Sequence, residues 1–164
     1  MLVVSNTSPI LNLAIIHRLE LLRQQFGEVL IPPAVHEELK PDSELPGAHE
    51  VQTALQTGWL RVATPSNSAL VQTLSLELDQ GEAAAIALAL EMKPDFILMD
   101  ESEGRAKAAA LGLRPVGVLG VLLRAKLNRQ LDSVKETMAR LRQEAGFFIS
   151  DELFSAVLQE AGEA

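Results

Sequence analysis

The chain has 164 residues, 48% of them hydrophobic, no cysteine and a net charge of −8. That length suits one domain, 1–164, burying about 70% of its unfolded surface, and the missing cysteines exclude disulfides, zinc–thiolate sites and thiol chemistry. No stretch approaches the roughly 18 apolar residues of a membrane span and no leader-like segment opens the chain, so a soluble, cytoplasmic protein is expected.

The first element is the apolar run Leu2-Val3-Val4, which reads as a short buried strand. It leads into the polar corner Ser5-Asn6-Thr7-Ser8-Pro9, then a helix expected from Pro9 to about Leu22 with Ser8 as N-cap. "EVLIPP" reads as a strand stopped by prolines, and "PAVHEELK" as the helix after it, with Pro33 in its first turn. A turn-rich loop, "KPDSELPGAHE", separates this from the helix "EVQTALQTG" and the strand "WLRVA". A short helix ending near Leu78 precedes "DQGEAAAIALALEM", the strongest helix signal of the chain, with Asp79 as N-cap. "DFILMD" reads as a buried strand and "ESEGRAKAAALG" as a helix closed by Gly112. "RPVGV" is the last strand. Three helices follow, over about 118–128, 132–144 with a capping box Ser133…Glu136, and 151–161 capped by Ser150.

Strands separated by helices predict an α/β fold, a central parallel sheet with helices on both faces. No repeat, low-complexity tract or linker divides it. Charge is uneven along the chain. Residues 1–100 hold 5 Lys/Arg against 13 Asp/Glu, whereas residues 105–142 hold 9 against 2. An acidic part followed by a basic segment suits a metal site beside a phosphate-binding surface, with Arg105, Lys107, Arg114, Arg124, Lys126 and Arg129 expected along the cleft. Two helices with solvated charged faces explain the same numbers. With five Phe, one Trp and no Tyr, a multi-base stacking platform is not expected.

No glycine-rich phosphate loop and no HExxH motif occurs, and His17, His36 and His49 are isolated. What recurs is a carboxylate at a strand end or on an apolar helix face. Glu38 shares a helical face with Val35 and Leu39, and Glu82 shares one with Ile86 and Leu90. Asp100 ends the apolar run "FILM", with Glu101 adjacent. Each also has a structural explanation: Glu82 favours a helix dipole, Asp100 caps the next helix, and Glu101 pairs with Arg105 at i,i+4. Their joint placement at one sheet edge favours a site.

Taken in order, "VVSNTSPILNLA", "VLIPPAVHEEL", "LDQGEAAAIALALE", "ILMDE", "GLRPVGVLGVLLRAK" and "GFFISDELFSAVLQEAGE" resemble the PIN-domain family across essentially the whole chain. Within it they resemble a branch of small predicted nucleases that open on a VVSDxSPL- or VVSNxSPL-type segment. The resemblance implies a three-layer α/β/α sandwich and a ribonuclease dependent on Mg²⁺ or Mn²⁺, often the toxin of a toxin–antitoxin pair. It implies Glu38, Glu82 and Asp100 as catalytic carboxylates that also hold metal, with Glu101 as a substitute ligand one residue on. Ser8 and Arg105 would meet substrate. Asn6 stands where such families most often carry aspartate, which keeps a carbonyl ligand but removes a charge. RNA is the implied partner, a cognate antitoxin another. The alternative is a catalytically weak module that binds RNA or a partner protein. The apolar stripe Leu153, Phe154, Val157 and Leu158, with the resemblance to often-dimeric toxins, suggests a homodimer; packing on the domain's own core explains the stripe equally well.

Overall fold

Five short apolar runs pair as strands in the computed structural model, which describes residues 1–164. They are β1 (Leu2–Ser5), β2 (Glu28–Ile31), β3 (Leu60–Val62), β4 (Phe96–Leu98) and β5 (Pro115–Val116). All neighbours are parallel, in the order β3-β2-β1-β4-β5. The chain therefore builds outward from β1 on one side, then returns to lay β4 against the other side of β1. Side chains alternate across the sheet with period two. Val3, Val29, Ile31 and Leu98 enter one apolar cluster, and Val4, Leu30 and Ile97 enter another on the opposite face.

Ten helices cover these faces: α1 (Thr7–Ile15), α2 (Glu20–Phe26), α3 (Pro33–Leu39), α4 (Ala48–Thr57), α5 (Ser68–Leu74), α6 (Gln80–Met92), α7 (Ser102–Ala110), α8 (Val118–Leu127), α9 (Val134–Glu144) and α10 (Asp151–Ala161). α1, α2, α3, α4, α8, α9 and α10 supply the larger cluster; α5, α6 and α7 supply the smaller one. The fold is the expected three-layer α/β/α sandwich. Every residue of α6 from Gly81 to Ala89 is buried, so this alanine-rich helix is an interior element with no solvent stripe along that stretch. α3 packs against both α1 and α6 and so brings the openings of those two helices together.

The first helix differs from its expectation at both ends. It starts at Thr7, with Asn6 as N-cap, because Ser8 spends its hydroxyl on Asp100 instead of on the backbone. It stops at Ile15, and the chain breaks through His17 at φ 59° before α2 begins. A left-handed residue cannot continue a right-handed helix, so one periodic apolar run becomes two helices.

The capping box expected at Ser133 forms by half. Ser133 Oγ accepts from the Glu136 N–H at 3.1 Å. In place of a reciprocal Glu136 bond, Glu163 at the far end of the chain accepts from the N–H groups of Val134 (2.7 Å) and Lys135 (3.1 Å). Its partner Lys126 lies at 3.3 Å. Glu163→Ala frees two helix-opening donors, so the urea midpoint is expected to fall by the equivalent of about 1–2 kcal/mol, with Glu163→Gln losing less.

The stripe on α10 packs inward. Val157 is buried, and Phe154 and Leu158 lie partly buried against the larger cluster, leaving Leu153 exposed. Three of the four residues that suggested a dimer face are thus used within the chain.

Candidate active site

In an open parallel sheet, ligands bind beyond the carboxyl ends of the strands, where the strand order reverses. Here that point lies between β1 and β4. Asn6 follows the last residue of β1 and donates its backbone N–H to the carbonyl of Leu98, the last residue of β4, at 2.9 Å. Met99 and Asp100 come next. The corner made by Asn6 and the corner made by Asp100 therefore meet, although 94 positions separate them.

Asn6 is an N-cap that does not cap. Asparagine is favoured at that position because its side-chain oxygen accepts from the second or third helical N–H. The third helical residue of α1 is Pro9, which has none. The side chain makes no cap bond; its Nδ2 lies 3.5 Å from Glu101 Oε2, and its Oδ1 is buried with no partner. An orphaned buried acceptor costs about 1–3 kcal/mol.

Glu82 is the second such group. It sits in the first turn of α6 in a reciprocal capping box: Asp79 Oδ1 accepts from the Glu82 N–H at 2.8 Å, and Glu82 Oε1 accepts from the Asp79 N–H at 3.3 Å. That occupies Oε1. The other oxygen, Oε2, is buried without a partner. The carboxyl is pushed up to about 7 from 4.5, first by burial, then by the adjoining Asp79 carboxylate, with Glu101 adding a smaller repulsion.

Asp100 is held on both oxygens. Oδ1 accepts from the Val118 N–H at 2.8 Å, so it closes the opening of α8 and leaves the expected cap of α7 to Glu101, whose side chain makes no cap bond either. Oδ2 accepts from Ser8 Oγ at 3.2 Å, and Ser8 in turn accepts from Asn12 Nδ2 at 3.0 Å. Burial raises the Asp100 pKa, and these two bonds work against the rise. Arg105 is near enough to favour the ionised form, but its Nη1 donates to the Met99 carbonyl at 2.9 Å. The i,i+4 pair expected between Glu101 and Arg105 is replaced by that bond.

Glu38 differs from the buried acid that its helical face suggested. It is exposed, lies over Gly81 at the start of α6, and accepts from Thr7 Oγ1 at 2.6 Å. The apolar neighbours Val35 and Leu39 are buried as expected. Asn6, Glu82 and Glu101 thus form one group, Ser8, Asp100 and Arg105 a second beside it, and Thr7 ties Glu38 to the same corner. No three acidic or histidine side chains stand close enough to share one ion in this arrangement. The donor chemistry still fits a hard divalent cation: two buried oxygens without partners, one from an amide and one from a carboxylate, on two side chains that both neighbour Glu101.

A family model named DUF3368 and described as PIN domain matches residues 2–163. The chain belongs to the PIN-domain family. No curated protein matches it. The PIN fold is of nuclease type, and such domains generally use divalent metals.

Most of the basic segment of this PIN domain lies away from the site. Arg124 places its guanidinium 5.5 and 5.0 Å from the ring centres of Phe26 and Phe96, and Phe96 opens β4 at the opposite end of the sheet. Arg114 precedes β5 at that same end, Lys126 bonds the Asp132 carbonyl and Glu163, and Lys107 pairs with Glu77 at 2.5 Å. Arg129 lines a separate cavity with Arg18 and Arg140. Only Arg105 stands in the cleft. A count of charge along the chain cannot distinguish the two ends of a sheet. Thr7, Asn12 and the Val118 N–H all lie in quoted segments, but their roles depend on contacts made across the fold and leave no local signal.

Proposed function

We propose that this PIN domain is an endoribonuclease that cuts single-stranded RNA with the help of Mg²⁺ or Mn²⁺. The observation that carries the reading is a pair of partnerless buried oxygens, Asn6 Oδ1 and Glu82 Oε2, carried by two side chains that both neighbour Glu101 at the strand-order reversal. Asn6, Glu82 and Glu101 would hold the ion, with Glu38 and Asp100 reaching it by side-chain movement. When bound, the cation supplies an activated water and neutralises charge on the phosphate. Arg105, beside Asp100, offers the substrate phosphate a donor fork. Ser8 orients Asp100 through their hydrogen bond and stands at the same mouth. In the metal-free chain burial holds the Glu82 proton up to about 7, and an ion taken up at Oε2 would displace it. A toxin role would place a cognate antitoxin gene beside this one, and the neighbouring reading frame tests that.

A second reading, a module that binds RNA or a partner without cutting, is favoured by one observation: an amide occupies the first corner where a carboxylate would add charge. Asn6→Asp separates the two. As a nuclease, the variant should melt lower than the parent in EDTA because like charges crowd around Glu101, gain more stability from Mn²⁺ than the parent does, and cleave faster wherever weak metal occupancy limits the parent. Melting curves that respond to Mn²⁺ no more than the parent's would favour the binding module.

A further inference from the structure

We propose that the cavity next to Asp100 and Arg105 is a nucleobase subsite, in which an unpaired base of the bound strand stacks on Phe148. The inference rests on the ribonuclease reading and adds the residue that grips the base. The cavity is about 540 Å³, and its walls include Asp100, Arg105, Leu119, Phe147, Phe148 and Leu153. The lining thus combines a carboxylate and a guanidinium with apolar and aromatic side chains. That combination matches a nucleotide, whose phosphate would face Arg105 while its flat base meets the phenylalanines.

Phe148 is 85% exposed, whereas Phe26 is buried and Phe96 and Phe154 are partly buried against the core. Its display is enforced by its neighbours. Gly146 turns the chain at φ 65°, the Phe147 N–H donates to the Leu141 carbonyl at 3.0 Å, and Ile149 is buried. The Ile149 carbonyl accepts from Arg142 Nε at 3.2 Å, and the Arg142 guanidinium is itself fixed 4.3 Å from the ring centre of Phe154. The backbone is thus held on both sides of Phe148 and presents its ring to solvent. An exposed aromatic on the wall of the proposed cleft suits base stacking, which tolerates any base because every base has a π face. A second copy of the chain is a poorer occupant. Phe148 and Leu153 are the only large exposed apolar side chains on this wall, far short of the ~800 Å² per partner of a stable interface.

The test is equilibrium binding of a fluorescent, 2′-O-methyl-protected oligouridine and of an abasic strand of equal length, in Mg²⁺, with strand integrity checked on a gel. Phe148→Ala should bind the oligouridine about 5-fold or more weakly than the parent, the low end of base–aromatic stacking. Phe148→Trp should bind it within twofold of the parent and show quenched indole emission on binding. All three proteins should bind the abasic strand alike and share one salt slope, since no phosphate contact changes. Parent-like affinity of Phe148→Ala, with the parent still preferring bases over the abasic strand, would overturn the subsite and leave the nuclease reading intact. A parent that neither binds nor cleaves RNA would overturn both. Sedimentation showing that Phe148→Ala splits a dimer without touching strand affinity would assign the wall to self-association and overturn the subsite.

Discussion

Glu82→Gln is expected to reduce RNA cleavage by about 100-fold or more, because an anionic oxygen at the proposed ion site becomes a neutral amide; that loss corresponds to about 2.7 kcal/mol of transition-state stabilisation. The same substitution should alter stability in a way that does not require activity. The Glu82 carboxyl sits at about 7 in the folded chain against an ordinary 4.5. Between those values the folded state keeps a proton that the unfolded state has released, so stability falls as pH rises through the window. The contribution is complete below about pH 4.5 and gone above about pH 7, amounting to at most about 3 kcal/mol. Urea unfolding of the parent at pH 4.5 and pH 7.5 in EDTA should show this decline, and Glu82→Gln should flatten it. Adding Mn²⁺ should recover stability in the parent more at pH 7.5 than at pH 4.5, since ion and proton compete for one oxygen. An identical pH slope in the variant would mean that Glu82 is not the buried titrating group.

Gly104→Ala is expected to be costly, although replacing glycine inside a helix normally gains about 1 kcal/mol. A Cβ at position 104 would lie 2.5 Å from Met99 Sδ and 2.6 Å from Glu82 Oε2. Met99 is fully buried and has no room to swing, so either α7 lifts or Glu82 leaves its capping box. Overpacking of this kind costs about 1–3 kcal/mol, and cleavage should fall with it. Gly81→Ala gives the contrast. There the atoms nearest the Cβ belong to the carboxylate of Glu38, the end of an exposed side chain that can shift at the cost of its Thr7 bond. Its stability should match the parent's or exceed it by up to about 1 kcal/mol, so a fall in cleavage would come from displaced site side chains, Glu38 first, and not from lost stability. Thermal melts and steady-state cleavage of the two variants distinguish these cases. Parent-like stability of Gly104→Ala would mean that α7 is not packed against Glu82 and Met99 as described.

The sandwich was legible because its signals are local. Val3 and Val4 feed opposite faces by parity alone, and the alanine run from Ala83 to Ala89 is apolar on every side. Asp79 was readable as the N-cap of α6 for the same reason, while its reciprocal bond with Glu82 emerged only in the structure. The break at His17 was not, because periodicity continues across it while the backbone turns left-handed. Within the candidate site, the acids at strand ends could be named from their positions. Their partners could not. Whether Asp100 caps the helix after it or the opening of α8, 18 residues on, depends on where β5 docks. Whether Glu38 is buried depends on how α3 lies between α1 and α6. Arg124 looked like a phosphate ligand by charge and serves instead as a lid on two phenylalanine rings at the far end of the sheet.

The return of β4 to the centre of the sheet also dictates when the site can exist. β1 and β2 emerge early during synthesis, yet β1 remains an open edge until β4 is made, and Asp100 lacks its Val118 partner until α8 begins. A nascent chain that ends before residue 96 contains Asn6, Glu38 and Glu82 without the strand that aligns them, and one that ends before residue 118 has Asp100 without its Val118 partner. Nuclease competence would therefore appear late and all at once as the chain is completed, and truncated products released early would carry the acids but no assembled cleft. On the proposed ribonuclease reading, that order of events keeps the messenger out of reach of an assembled cleft until more than two thirds of the chain is made.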